Sequence, residues 1–293
     1  MREHCLQRAT RVSLCHQAGQ HRRVQHIRRR FCKNRRLKNL IQVGPVEQRL
    51  LAKVKRGPIV AALIDPDEFT PKDAAITAKK AIHAGASLVL VGGSTVSDQS
   101  RLDSVVISIK HHVSSPVVLF PGNVTGVSKH ADAILFSSLL NSMNPYFIIG
   151  AQALGAAQVF RNHLEAIPMG YLIFGESSAA AFIGQVNPMP RDKPSLAIIY
   201  CLAASLLGMR SIYLEAGSGS GEPLSHETVR LVRRHYPGMI MVGGGITSAK
   251  DAGLIAKAGA DILVVGNLLE RDQFEKPLRE IVSATRTKRR NRA

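Results

Sequence analysis

Tyr213-Leu-Glu-Ala-Gly-Ser-Gly-Ser-Gly221 joins a short apolar run to a stretch of small residues through one carboxylate, Glu215. Two later turns, Val242-Gly-Gly-Gly-Ile246 and Val264-Val-Gly-Asn267, also lie where an apolar run ends and a helical pattern begins. Backbone N–H groups at such turns, with the positive end of the helix dipole, favour bound phosphate. Glycine also ends strands in any βα unit, but three successive turns indicate a phosphorylated small molecule at the C-terminal face of a barrel.

Apolar runs and helical periods alternate along the body of the chain. Near-continuous runs of Val, Ile and Leu are typical of parallel strands that are buried on both faces. The predicted strands are Ile59–Ile64, Ser87–Val91, Pro116–Phe120, Ala131–Phe136, Pro168–Ile173, Ser211–Leu214, Met239–Val242 and Asp261–Val265. The predicted helices are Pro71–Ala84, Leu102–Val113, Pro145–His163, Pro194–Leu207, His226–Tyr236, Ser248–Ala258 and Phe274–Thr285.

Eight strand–helix units over roughly 245 residues predict an α/β fold of the (β/α)8 TIM-barrel type. One unit is incomplete, because only ten residues separate Phe120 from Ala131, and they include two glycines and a proline. This link is too short for a three-turn helix. We therefore expect the third helix to be missing and replaced by a short loop, which would open an apolar groove beside the barrel. A doubly wound sheet is the alternative, but glycine turns after strands six, seven and eight favour the barrel.

The charge of the chain is concentrated in two tails. The formal net charge is +18, of which residues 1–40 carry +11 and residues 286–293 carry +5, leaving +2 for the rest. We therefore predict a basic extension over residues 1–42, a nearly neutral barrel domain over 43–285 and a basic tail over 286–293. The extension is expected to be disordered or to precede the true start of translation; an anionic-surface anchor and a transit peptide are the alternatives. The body is not expected to bind nucleic acid, and peripheral membrane contact is possible through the tails.

Cysteine and apolar patterns indicate a cytoplasmic protein. Cys5, Cys15 and Cys32 lie in the extension at spacings that match no zinc or disulfide signature. Cys201 stands in an apolar helical segment and is expected to be a small core residue. That segment, Leu196–Met209, is too short to span a bilayer.

Two polar side chains are expected at the rim of the first two strands. Asp65 follows the first strand in Leu63-Ile-Asp-Pro-Asp67, and Ser94 follows the second in Gly92-Gly-Ser94. A carboxylate and a hydroxyl on neighbouring rims suit Mg²⁺ that also contacts a diphosphate. A helix cap or loop salt bridge for Asp65, and a simple turn hydroxyl for Ser94, are the alternatives.

Glu215 is the candidate catalytic residue, since it ends strand six beside the glycine turns. A carboxylate at this position can accept hydrogen bonds from a substrate hydroxyl and help to deprotonate it. The alternative is a structural role, in which Glu215 is the partner of a neighbouring N–H or of an arginine. Tyr213 would face the same side of the strand and either donate to phosphate or only pack.

In these motifs the chain resembles geranylgeranylglyceryl phosphate synthases and the bacterial heptaprenylglyceryl phosphate synthases. The likeness spans residues 43 to about 285. It looks like the archaeal type of the second group, because Leu63 stands where the other group has Lys. The matching segments are 63–67, 91–94, 120–123, 136–142, 144–146, 167–171, 190–194 and the three glycine turns.

The resemblance implies that the C3 hydroxyl of sn-glycerol 1-phosphate attacks C1 of geranylgeranyl diphosphate and expels diphosphate, forming the first ether bond of archaeal lipids. It implies Mg²⁺ on Asp65 and Ser94, Glu215 as base or hydroxyl anchor, and a homo-oligomer, either a hexamer or a dimer. The implied glycerol phosphate site comprises Tyr213, Leu214, Glu215, Ala216, Gly217, Ser218, Gly219, Gly244, Gly245, Gly266 and Asn267.

Two departures bear on the prenyl site. The family's usual glutamate after Ile173 falls on Gly175, with Glu176 displaced by one residue, and Glu68 stands where lysine is common. The same chemistry with another prenyl length is therefore an open alternative. So are a phosphosugar isomerase or synthase, which shares the last two glycine turns, and a phosphate-binding barrel without transferase activity.

Overall fold

A computed structural model of the protein describes residues 42–94, 98–175, 178–217 and 221–286. The chain divides into two compact units, residues 1–44 and 45–293. The barrel belongs to the second unit. The predictions for the N-terminal extension and its cysteines, and for the basic C-terminal tail, lie almost wholly outside the described residues and stay predictions.

Eight parallel strands form a closed barrel in chain order, and this confirms the predicted fold class. The barrel closes where β1 pairs with β8, with Ile59 opposite Ile262. Two strands extend three residues beyond their predicted bounds: β4 continues through Ser137 and Ser138 to Leu139, and β5 begins at Glu165. Polar residues at these strand ends interrupt the apolar runs, so the strands predicted from those runs were too short. The strands are β1 Ile59–Ile64, β2 Leu88–Val91, β3 Val117–Leu119, β4 Ala133–Leu139, β5 Glu165–Ile173, β6 Ser211–Glu215, β7 Met239–Gly243 and β8 Ile262–Val265.

The seven predicted helices are present, and two further helices were not predicted. The predicted helix over 145–163 begins with a π-helical turn, Tyr146–Gly150, before its α-helical part. The helices are α1 Pro45–Arg56, α2 Pro71–His83, α3 Gln99–His112, α4 Ala151–Arg161, α5 Ala179–Ile183, α6 Ser195–Leu206, α7 His226–His235, α8 Ala249–Ala258 and α9 Glu275–Thr285. None of the helices within these described ranges is long and apolar enough to span a membrane.

Helix α1, one of the two that were not predicted, packs on the inner core of the barrel. Its buried Leu50 and Val54 belong to the same apolar cluster as side chains of the barrel interior. The first turn is fixed by Glu165, whose carboxylate accepts from the N–H groups of Val46 and Glu47 at 2.8 and 2.7 Å. Because Glu165 is the first residue of β5, α1 closes the N-terminal end of the barrel.

The predicted gap after the third strand is confirmed. Only a 3₁₀ turn, Val124–Gly126, lies between β3 and β4. The side-chain amides of Gln99 and Gln158 hold this link by donating to the carbonyl of Val127 at 2.9 and 3.1 Å. The connection between β3 and β4 therefore lacks the helix that a complete barrel would place there.

The core has an inner and an outer layer, because successive strand side chains point to opposite faces. On β6, Tyr213 belongs to the inner layer, whereas Ile212 and Leu214 pack under the helices. Cys201 is fully buried in the outer layer, as predicted, and burial raises the pKa of its thiol to about 12. The alternation of inward and outward side chains continues to the C-terminal end of each strand, where the candidate site begins.

Candidate active site

A cavity of about 220 Å³ opens at the C-terminal end of the barrel. It has a polar end near Asp65 and Glu215 and an apolar arm that reaches both faces of β4. We call this arm the slot; it is lined by Val124, Val127, Ile134, Phe136, Phe147, Ala151, Gln152, Gly155 and Val159. The polar end and the slot form one continuous space.

Asp65 and Ser94, the predicted metal ligands, both line the polar end. The Asp65 carboxylate lies so close to Gly93 that a Cβ on that residue would stand 2.0 Å from Oδ2. Burial raises the pKa of Asp65, and the N–H of Asp67, which donates to Oδ1 at 2.9 Å, opposes this shift. The negative charge of Glu270, which also lines the cavity, raises it further.

The loop that follows Asp65 is fixed by Arg101 on α3. Its guanidinium donates to the carbonyls of Pro66, Asp67 and Phe69 at 2.5, 3.1 and 3.3 Å. Three bonds from one planar cation restrict the loop strongly. Arg101 therefore positions the rim that carries Asp65, a role that no sequence motif indicates.

Glu215 is a buried carboxylate at the end of β6. Its Oε2 accepts from the hydroxyl of Tyr213 at 2.8 Å, and its Oε1 accepts from the N–H of Gly217 at 2.9 Å. Burial raises the pKa of Glu215, and the two hydrogen bonds limit that rise. No described Lys, Arg or His side chain forms a salt bridge with Glu215, whereas the bond from the Gly217 N–H is a contact that the structural alternative predicts.

Two of the predicted glycine turns meet at Glu215. Gly244 has φ +82°, and a Cβ there would lie 2.3 Å from Oε1 of Glu215 and 2.9 Å from the N of Gly217. Any side chain at Gly244 would push the two turns apart. Gly245 also has a positive φ, at +69°. From the third turn, Gly266 lines the cavity.

The remaining predicted glycerol phosphate residues fall into three groups. Asn267 lines the cavity and begins a 3₁₀ turn. The Leu214 and Ala216 side chains pack in the outer layer. The main chain of Ala216 is also bonded, since its N–H donates to the carbonyl of Gly243 and its carbonyl accepts from Arg191. Ser218 and Gly219 lie outside the described residues.

Three aromatic rings together line the polar end of the cavity, a grouping that was not predicted from the sequence. Phe120 and Tyr171 have ring centroids 5.6 Å apart, and Tyr213 lies 4.9 Å from Phe120 and 5.1 Å from Tyr171. We call these three residues the aromatic wall. The alternation of side chains along a strand could have identified these rings, because Phe120 and Tyr171 lie on the inward side together with Val118 and Met169.

The slot is bounded on one side by the π-helical turn before α4. The amide nitrogen of Gln152 donates to the carbonyls of Ser137 on β4 and Phe147 in the turn, at 2.5 and 3.1 Å. The Ser138 hydroxyl donates to the carbonyl of Ile148 at 2.7 Å. These bonds satisfy carbonyls that a π-turn leaves without regular helical partners, and they fix the turn against the strand.

Position 175, where the family usually has glutamate and this chain has glycine, has no room for a side chain. A Cβ at Gly175 would lie 2.5 Å from the carbonyl oxygen of Ala216. That carbonyl accepts from Arg191 Nη2 at 2.6 Å, so Arg191 ties the loop after β5 to the glycine-rich turn after β6. A glutamate at this position would need a different backbone path. Glu176 lies outside the described residues.

The arrangement defines a class of enzyme before any relative is considered. Main-chain amides and carboxylates at a barrel mouth suit a phosphorylated polar substrate. An apolar slot beside β4, where the third helix is missing, suits a long apolar chain. The protein is thus a (β/α)8-barrel enzyme built for two substrates of opposite character.

Comparison with known families and proteins agrees with this class. Residues 53–285 match the model of the PcrB family. The geranylgeranylglyceryl phosphate synthase of Methanothermobacter thermautotrophicus is 49% identical over 221 residues, which cover 75% of this chain and 90% of that protein. The synthase of Cenarchaeum symbiosum is 49% identical over 229 residues, covering 78% and 93%. The chain belongs to the PcrB family of geranylgeranylglyceryl phosphate synthases, which confirms the resemblance.

Solved structures extend the agreement to the fold. The (S)-3-O-geranylgeranylglyceryl phosphate synthase from Thermoplasma acidophilum, in complex with sn-glycerol-1-phosphate, superposes with a TM-score of 0.80. It is 35% identical, and the match covers 84% of this chain and 99% of that one. A thiamine phosphate pyrophosphorylase from Pyrococcus furiosus, 10% identical with a TM-score of 0.52, shares the barrel fold alone.

Proposed function

We propose that the protein is a prenyltransferase that joins sn-glycerol 1-phosphate to geranylgeranyl diphosphate. The products would be 3-O-geranylgeranylglyceryl 1-phosphate and diphosphate. The observation that carries the proposal is the continuous cavity, which connects Glu215 and the Gly266 turn to an apolar slot. The names of the relatives, and the glycerol phosphate in the Thermoplasma structure, point to the same two substrates.

Glycerol phosphate would bind at the glycine turns. The main chain of 213–217, together with Ser218, Gly219, Gly244, Gly245, Gly266 and Asn267, would surround its phosphate and hydroxyl groups. Gly244 supports this placement, because its positive φ and the lack of a side chain bring its backbone close to Glu215 and Gly217. Main-chain amides bind phosphate without a cationic side chain.

Diphosphate would bind at the opposite side, near Asp65 and Ser94, which would hold Mg²⁺. The donor set fits this ion, because Mg²⁺ prefers oxygen ligands and keeps several waters and phosphate oxygens. Among the described residues, no group of three or more His, Cys, Asp and Glu side chains could hold a metal ion by itself. When bound, Mg²⁺ would neutralise charge on the departing diphosphate.

Glu215 would accept the proton of the attacking hydroxyl. The C3 oxygen of glycerol phosphate forms a bond to C1 of the prenyl chain while the bond from C1 to the diphosphate oxygen breaks. The electron pair leaves with diphosphate, and the hydroxyl proton passes to Glu215. Burial raises the pKa of Glu215, which makes its carboxylate a stronger base.

The prenyl chain would lie in the slot. Each buried CH₂ contributes about 0.8 kcal/mol, so a C20 chain gains much more from this surface than a short one. The missing third helix explains why a barrel, whose interior is normally filled by side chains, has room beside β4 for such a chain.

A product assay tests the function. Purified protein is incubated with glycerol 1-phosphate, Mg²⁺ and C15, C20 or C35 prenyl diphosphate, and the lipid product is measured by mass spectrometry. We expect product with C20 diphosphate at the highest kcat/KM. Product with none of the three would reject the prenyltransferase function and favour a phosphosugar enzyme or a non-catalytic phosphate-binding barrel.

We also propose that the protein is a homo-oligomer. Helix α6 exposes an apolar stripe that includes Ile199, 63% exposed, and Leu206, 89% exposed, at helical spacing. A second copy of the chain would cover this face. Light scattering of the wild type and of Ile199→Lys should show a dimer or hexamer and a smaller species, respectively; a monomeric wild type would reject the proposal.

A further inference from the structure

The aromatic wall lines the same cavity as Asp65 and Glu215, the groups assigned to the opposite ends of the reaction. Phe120 follows β3 beside Gly92, whose Cβ would lie 1.9 Å from the Phe120 carbonyl oxygen. Tyr171 on β5 and Tyr213 on β6 are paired in register, and the Tyr213 hydroxyl donates to Glu215. The rings therefore line the space in which the bond between C1 and diphosphate would break.

We propose that Phe120, Tyr171 and Tyr213 stabilise the positive charge that develops on C1 of the allylic diphosphate as it leaves. This inference rests on the proposed prenyl transfer. As the C1–O bond lengthens, its electron pair moves to diphosphate and C1 becomes electron-poor. The glycerol oxygen then supplies the new electron pair to C1, and its proton passes to Glu215. The rings form no bond and exchange no electron.

The physical basis is the negative face of an aromatic ring. A cation within about 6 Å of a ring centroid is attracted to it, and the attraction is strongest where water is excluded. With neighbouring centroids 4.9 to 5.6 Å apart, a carbon in contact with one ring lies close to the others as well. A wall of leucines would offer the same apolar surface without this attraction.

The composition of the cavity supports the inference. None of the described residues that line it is Lys, Arg or His, so no described side-chain cation there opposes positive charge on C1. The hydrogen bond from Tyr213 to the Glu215 carboxylate increases electron density in that ring. Burial, aided by the charge of Glu215, raises the pKa of Tyr213 well above its usual range, so the tyrosine stays a protonated donor.

Graded fluorination of Phe120 separates charge stabilisation from packing. Mono-, di- and trifluorophenylalanine are incorporated at position 120 of the full chain, and kcat is measured with saturating substrates. Fluorine withdraws electron density from the ring face and changes its volume little. We expect log kcat to fall steadily along the series, by roughly two- to thirtyfold in total, the range that a cation–π interaction covers.

Phe274 provides the matched control, because it is buried in the outer layer of the core and is not among the residues that line the cavity. The same fluorinated series at position 274 should leave kcat unchanged. A flat kcat along the Phe120 series, in an enzyme whose unmodified form makes product, would overturn the inference and leave the proposed function intact. An unmodified protein that makes no product would instead overturn the function itself.

A second pair of variants covers a failure of the fluorinated chains to fold. Tyr171→Phe keeps the ring and Tyr171→Leu removes it. We expect kcat within about threefold of wild type for the first and a loss of roughly tenfold or more for the second, with KM for glycerol phosphate unchanged in both. Equal kcat for the two variants would contradict charge stabilisation by the wall.

Discussion

The polar end and the slot of the cavity differ in how they are built. At the polar end, backbone and carboxylate atoms touch directly, and an added Cβ at Gly93 or Gly244 would lie 2.0 or 2.3 Å from a carboxylate oxygen. In the slot, a Cβ at Gly155 would come no nearer than 4.0 Å to any neighbouring atom. At the polar end, close contacts leave no room for an added side chain, whereas the slot exists because the chain omits the third helix. Substitutions should therefore affect rate at one end and chain preference at the other.

Asp65→Asn should have the largest effect. The change removes the negative charge that the proposed Mg²⁺ requires, while keeping the shape of the side chain. We expect Mg²⁺-dependent turnover to fall by roughly a thousandfold or more, measured as kcat over a Mg²⁺ titration. Near-normal activity at any Mg²⁺ concentration would refute the metal assignment.

Glu215→Gln should lower kcat by roughly a hundred- to ten-thousandfold, the usual worth of a positioned base. Binding of glycerol phosphate, measured by calorimetry, should change little because the glycine turns remain. In the wild type, kcat should fall as pH drops through the raised pKa of Glu215, and this limb should vanish in the variant. An acidic limb that persists in Glu215→Gln would assign the titration to another group.

The same variant has a stability effect with a defined sign. Since burial raises the pKa of Glu215 above its unfolded value, the stability associated with its protonated form is present in acid and is lost as pH rises through the folded-state pKa. Glutamine carries no charge, so Glu215→Gln should melt at a higher temperature than wild type at pH 7. The difference should shrink toward pH 4. An equal difference at both pH values would argue against a charge effect.

Gly155→Phe should change substrate preference more than rate. A ring at this position would occupy the slot, so we expect KM for C20 diphosphate to rise about tenfold, while that for a C10 diphosphate changes little. Gly155→Ala is the matched control and should behave as wild type, because its Cβ has room. A C10 substrate weakened as much as the C20 one would place the chain elsewhere.

Deletion of residues 1–41 should have the smallest effect. The barrel begins at α1, whose first turn is bonded to Glu165 and whose Glu47 receives Arg210 at 2.7 Å. We expect kcat and melting temperature to match the full chain. Deletion through Arg56 is the contrasting variant, since it removes Leu50 and Val54 from the core and should prevent folding. A loss of activity on deleting 1–41 would show that the extension belongs to the enzyme.

The contrast between the two ends also explains what the sequence could predict. Strands buried on both faces, and polar residues where they stop, are local patterns, so the barrel and the placement of Asp65, Ser94 and Glu215 at its rim followed from them. The omitted helix was equally visible, because a ten-residue link has few alternatives.

Features that depend on distant partners could not be found in this way. Helix α1 is largely polar and is fixed by Glu165 and Arg210, both more than 100 positions away. The π-helical turn depends on Gln152 and Ser138 bonding its carbonyls. The aromatic wall was within reach, since Phe120 and Tyr171 follow the inward period of their strands, but it becomes a site only when the barrel closes.

A crystal structure of the protein with glycerol 1-phosphate and a non-reactive thio-analogue of geranylgeranyl diphosphate tests the central claim most directly. We predict the phosphate of the alcohol on the amides near Gly244 and Gly266, its C3 hydroxyl at Glu215, and the chain running past Tyr171 into the slot beside Gly155. A chain that leaves the barrel by another path, or an alcohol bound away from the glycine turns, would contradict the account.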